Sequence, residues 1–144
     1  MPWLVEVQVS LERGRSSFLA SELCLLARPS ELSAARRYAG EAAVAFGLDA
    51  DSCYEFVYAV NEAVTNAITY GAPDEQGLIT LSVVEDGDRL TLAVRDCGTF
   101  AMPGLSPTSS ERGRGFALMA KLTDEVQLSI KPGSTIVRLS KARV

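Results

Sequence analysis

A chain of 144 residues that is 47% hydrophobic and 22% charged has the composition of a folded globular protein, and its length suits one domain. Its formal net charge of −4 provides no concentrated basic surface for counterion release, which excludes broad affinity for nucleic acid. The absence of any histidine excludes histidine-dependent triads, histidine–zinc sites and phosphorylation on histidine.

The first residues read as a strand, because Val5, Val7, Val9 and Leu11 alternate with Glu6, Gln8 and Ser10. After the Arg13-Gly14-Arg15 turn, Phe18 to Ala27 returns as a second strand. Ser30 is a candidate N-cap for a helix with Leu32, Ala35, Ala39, Ala42 and Phe46 on its core face, ended by Gly47. Asp49 and Asp51 are alternative caps for a second helix. It carries Phe56, Val60, Ala63, Val64, Ala67 and Ile68 at helical spacing and stops at Gly71-Ala72-Pro73.

Leu78 to Val84 and Leu90 to Arg95 form an expected antiparallel hairpin around Asp86-Gly87. From Asp96 to Gly115 the chain is rich in Gly, Pro, Ser and Thr, a long connection read as a lid. A short helix over Phe116 to Leu122 precedes a last hairpin, with Val126, Leu128 and Ile130 in one strand and Ile136 to Ser140 in the other. This order lacks the regular strand–helix alternation of a parallel doubly wound sheet. It predicts an α/β protein of the α+β two-layer kind, a mostly antiparallel mixed sheet with helices on one face. The expected domain spans 1–144, with 1–17 an added N-terminal strand.

Cys24, Cys53 and Cys97 lie too far apart for a disulfide framework or paired metal ligands, and Cys24 and Cys53 are expected as small core residues. No apolar run reaches the roughly 20 residues of a membrane span, and no signal-peptide pattern opens the chain, so a cytoplasmic protein is expected.

Three short segments carry chemistry-bearing residues. In Asn61 to Gly71, Glu62 and Asn66 stand four apart on one helix face, with Glu55 on the same stripe. That face is either a solvated surface or a carboxylate base beside an oxygen ligand for a hard cation. In Asp96-Cys97-Gly98 a carboxylate emerges at a strand end, a pattern that also serves ordinary turns. In Arg112-Gly113-Arg114-Gly115-Phe116, glycines and arginines precede a helix, where free amides and guanidinium groups attract phosphate. No Gly-Lys-Ser/Thr follows, so this is not a Walker loop.

In combination and in this order, the three segments resemble the N, G1 and G2 boxes of the GHKL ATPase superfamily, shared by gyrase and histidine kinases. Together with Arg28-Pro29-Ser30 and Gly133 to Val137, the chain from about Leu25 to Lys141 most resembles the small anti-sigma-factor serine/threonine kinases. The resemblance implies the histidine-kinase-like (Bergerat) fold and binding of ATP with Mg²⁺. It implies Asn66 as Mg²⁺ ligand, Glu62 as base for the attacking hydroxyl and Asp96 as acceptor for the adenine amino group. Gly98 would let adenine lie against the loop, Gly113 and Gly115 would belong to the lid, and Thr135 would support the adenine end. Arg112 and Arg114 are candidates for phosphate charge compensation. Tyr70 departs from the pattern, since relatives commonly carry histidine there.

The function so implied is an ATP-dependent serine protein kinase and anti-sigma factor. Its partners would be an anti-sigma-factor antagonist, as serine substrate, and a sigma factor, with the protein itself a homodimer. A nucleotide-dependent binding module of weak or no catalytic activity is the alternative.

Overall fold

The computed structural model describes residues 3–9, 18–71, 77–96 and 110–143, with side chains described for 22–71, 77–96 and 115–143. Strands β1 (Trp3–Val9) and β2 (Phe18–Leu26) precede helices α1 (Leu32–Phe46) and α2 (Ala50–Asn66), and α2 runs on into a wider π-helical turn over Ala67–Gly71. Then come β3 (Leu78–Asp86), β4 (Arg89–Asp96), α3 (Ser110–Leu122), β5 (Glu125–Lys131) and β6 (Ser134–Ala142). The strands form one six-stranded sheet in the order β1-β2-β3-β4-β6-β5, and every described pairing is antiparallel.

Alternation along the strands decides which face meets the helices. Ile79, Leu81 and Val83 of β3, Leu90, Leu92 and Val94 of β4, and Val137 and Leu139 of β6 are buried. The helices lie over this face, contributing Ala35, Ala39 and Phe46 from α1, Phe56, Val60, Ala63 and Val64 from α2, and Met119 from α3. The small residues of α1 and α2 let the two helices pack closely on each other and on the sheet. Phe56 is fully buried at the centre of this layer. We expect Phe56→Ala to cost about 3–5 kcal/mol in denaturant unfolding, a large share of a stability of about 5–15 kcal/mol.

Several local expectations are corrected. Ser30 is not the N-cap of α1: Pro29–Glu31 forms a 3₁₀ turn, and Glu31 occupies the cap position, where its side chain does not cap the helix. Proline favours this tight entry because its fixed φ suits the first turn and it has no amide to satisfy. Gly47 does end α1, with φ of 100°. Asp49, not Asp51, caps α2 by accepting from the Ser52 amide at 2.7 Å, and this hydrogen bond holds the Asp49 carboxyl below its ordinary range.

Helix α3 begins at Ser110, six residues ahead of the expected start, so the Gly-Arg-Gly segment is helical and not loop. Cys53 packs against the core, but Cys24 lies between the buried Leu23 and Leu25 on the opposite face of β2, with its Sγ 3.8 Å from Thr80 Oγ1. The N-terminal segment extends the sheet edge by pairing β1 with β2. Leu11 and the Arg13-Gly14-Arg15 turn lie outside the described residues, as do Cys97, Gly98 and most of the expected lid. Among the described residues no helix is long and apolar enough to cross a membrane.

Candidate functional site

The C-terminal end of β4 is where the expected site residues meet. Antiparallel pairing of β4 with β6 sets Asp96 opposite Thr135, and pairing with β3 sets Asp96 opposite Ile79. Both polar residues follow the inward alternation of their strands, so they point toward the helices and are nearly enclosed, Asp96 at 2% exposure and Thr135 at 4%. Above them lies the end of α2, where Ala63 and Ala67 are small enough to leave space.

Ala63, Asn66, Ala67, Val94, Asp96, Phe116, Thr135 and Val137 line one void of about 10 Å³. Its lining combines apolar side chains with the polar groups of Asn66, Asp96 and Thr135. A void of this size has room for about one water.

Two buried polar atoms in this lining have no hydrogen-bond partner among the described residues: the amide nitrogen of Asn66 and the hydroxyl of Thr135. Buried polar groups are paired in the great majority of cases, and leaving one unpaired costs about 1–3 kcal/mol. Two such atoms converging on one slot is the pattern of a site built to meet a polar ligand.

The π-helical turn after α2 brings the backbone of Gly71 against the Asp96 carboxylate. A Cβ at position 71 would stand 2.6 Å from Asp96 Cγ and closer still to Oδ2, so any side chain there displaces the carboxylate. π-Type turns of this kind recur at functional sites. If Asp96 is a ligand group, Gly71→Ala should weaken nucleotide binding about tenfold by calorimetry, the equivalent of one impaired charge-assisted hydrogen bond.

On the other side of Asn66, the start of α3 rests on α2. A Cβ at Gly115 would lie 3.1 Å from Asn66 Nδ2 and 3.6 Å from Glu62 Oε1, so this glycine permits the close seating. Glu62 and Asn66 therefore stand side by side beneath α3, as their four-residue spacing requires. Glu55, expected on the same stripe, is engaged elsewhere: Lys141 Nζ donates to its Oε1 at 2.9 Å and to the Leu122 carbonyl at 2.8 Å. That ion pair ties α2 and the end of α3 to β6.

Glu62, Asn66, Asp96, Thr135 and Gly115 are thus brought together. Gly113 is the fourth residue of α3, within the turn whose amides are free, whereas Gly115 is the sixth and past it. The side chains of Arg112 and Arg114, like Gly98, lie outside the description. Sequence reasoning missed the contact of Gly71 with Asp96 and the roles of Ala63, Ala67 and Phe116 in shaping the slot. Small residues at helical spacing were the available signal, but they served equally as core packing.

Residues 25–141 match a family model described as the histidine kinase-like ATPase domain. The anti-sigma F factor of Thermoanaerobacter sp. (strain X514) is 32% identical over 130 residues, covering 83% of this chain and 91% of that relative. The anti-sigma F factor of Caldanaerobacter subterraneus subsp. tengcongensis is 30% identical with the same coverage. Among solved structures, the RsbU and RsbW domains of a Mycobacterium tuberculosis protein share the fold with a TM-score of 0.64 at 21% identity, over 84% of this chain and 32% of that one. The SiaB–SiaC complex of Pseudomonas aeruginosa gives 0.53 at 13% identity, over 82% of this chain and 88% of that one. The overall fold agrees with these structures, and the family match runs across the elements that build the slot. The chain belongs to the histidine kinase-like ATPase family, with anti-sigma F factors among its relatives.

Proposed function

We propose that the protein is an ATP-dependent serine protein kinase and anti-sigma factor that phosphorylates an anti-sigma-factor antagonist, working in the cytoplasm as a homodimer that also binds a sigma factor. The observation that carries this reading is the convergence of Asn66, Asp96 and Thr135 on one slot that holds two buried polar atoms awaiting partners, with Glu62 beside Asn66 beneath α3.

The residues present fit a nucleotide. A purine suits the apolar walls of Val94, Val137 and Ala67, while Asp96 and Thr135 offer an acceptor and a hydroxyl at the polar end. They also fit Mg²⁺ as nucleotides carry it. Among the described residues no group of three carboxylate or thiol side chains is gathered into a metal cage. Mg²⁺ at phosphate sites needs only one or two protein oxygens besides phosphates and waters, and the Asn66 side-chain oxygen is such a donor. Bound ATP and its Mg²⁺ would supply the phosphoryl group and compensate its charge.

The chain's own contribution is placement and proton transfer. Glu62 would accept the proton of an incoming serine hydroxyl, Asn66 one helical turn away would hold the metal, and Asp96 and Thr135 would fix the purine. Because Phe116 fills one side of a slot with room for about one water, admission of the purine requires the start of α3 to move off α2.

The test is incubation of the purified protein with labelled ATP, Mg²⁺ and the antagonist, followed by detection of phosphoserine. Transfer supports the kinase reading. Nucleotide-dependent binding of the antagonist without transfer would replace it with a regulatory binding module.

A further inference from the structure

Beside the nucleotide slot, α1 and α2 leave an open groove of about 330 Å³ lined by Arg36, Tyr54, Val57, Tyr58, Asn61 and Glu62. Its most prominent features are two tyrosines turned to solvent, Tyr54 at 70% exposure and Tyr58 at 43%, packed edge to face with ring centroids 6.2 Å apart. Across the groove, Arg36 donates to Asn61 Oδ1 at 2.9 Å. Arg36 is in none of the ion pairs that join Arg89 to Glu125, Lys141 to Glu55 and Arg143 to Asp88. At the groove's end stands Glu62, the same carboxylate that neighbours Asn66 beneath α3.

Resting on the kinase reading above, we propose that this groove docks the segment of the protein substrate that carries the acceptor hydroxyl. The tyrosine pair would anchor its apolar side chains, and Arg36 would take a carboxylate. Tyrosine and arginine are the residue types that dominate binding energy at protein interfaces, because each offers a large contact area with a polar tip. Continuity with Glu62 sets the polarity of docking: the hydroxyl lies at the Glu62 end and the anchors lie toward Tyr54.

The spacing constrains the segment. Tyr54, Tyr58 and Glu62 recur every four residues, so they are separated along α2 by about 6 Å per step. An extended peptide advances about 3.3 Å per residue. The preferred substrate therefore carries apolar side chains about two and about four residues from its serine on one side, with an acidic residue near them.

The experiment compares wild type with the Tyr54→Ala/Tyr58→Ala double variant and with Arg36→Ala, using the antagonist protein and Mg-ATP. Neither tyrosine lines the nucleotide slot, so ATP affinity and thermal unfolding should stay near wild type. The KM for the antagonist should rise at least tenfold in the double variant, with kcat changed far less, and Arg36→Ala should raise KM as well. Wild-type KM in both variants, with phosphate transfer intact, would overturn the groove and leave the kinase reading standing. Loss of antagonist binding in the variants, with no transfer even in the wild type, would keep the groove as a docking surface and overturn the kinase. An effect confined to self-association would make the groove a contact between copies and overturn the docking proposal. No antagonist binding by the wild type would overturn both.

Discussion

Glu62→Ala is expected to slow phosphoryl transfer by about a hundred- to ten-thousandfold while ATP affinity stays near wild type, the usual contribution of a positioned general base. The reason is geometric. Glu62 faces the groove and the underside of α3 but does not line the slot proposed for the purine, so its loss would remove the proposed proton acceptor without touching the slot's walls. Asn66→Ala should behave differently, weakening Mg²⁺-dependent ATP binding as well as transfer, because its amide lines the slot and its oxygen is the candidate metal ligand. Single-turnover transfer and calorimetry on the two variants separate these effects. Wild-type values in both would reduce Glu62 and Asn66 to a polar helix face.

Asp96→Ala is expected to weaken ATP binding about ten- to over a hundredfold, since a hydrogen bond to a charged group contributes about 1.5–3 kcal/mol. The carboxylate is enclosed at the end of β4, where water is a poor substitute acceptor. Asp96→Asn is the control, because it keeps the shape against Gly71 and an acceptor oxygen while removing the charge. Its affinity should fall between those of wild type and Asp96→Ala. Unchanged affinity in Asp96→Ala, with cooperative unfolding retained, would take Asp96 out of the nucleotide site.

Much of the architecture was legible because local rules agreed with the fold. Period-two alternation marked the inward faces of β3, β4 and β6, and the core faces of α1 and α2 followed helical spacing from Ala35 to Phe46 and from Phe56 to Ala67. The adjacency of Glu62 and Asn66 was equally readable, being a property of one helix. The start of α3 was not. Glycines at 113 and 115 lower intrinsic helix propensity, and a sequence reading begins the helix only after them, at Phe116. Packing of α3 on α2, which the missing side chain at Gly115 allows, overrides that preference.

The sequence by itself determined the order of elements, the inward and outward faces of the strands, and the Glu62–Asn66 pair, because each depends on residues within a few positions of one another. Only the tertiary structure decided that Asp96 stands opposite Thr135, that Gly71 lies against the Asp96 carboxylate, and that the Tyr54–Tyr58 groove opens onto Glu62. These depend on β6 inserting between β4 and β5 and on how helices seat on the sheet. Such long-range pairings are fixed by burial of the whole core, and no local pattern encodes them.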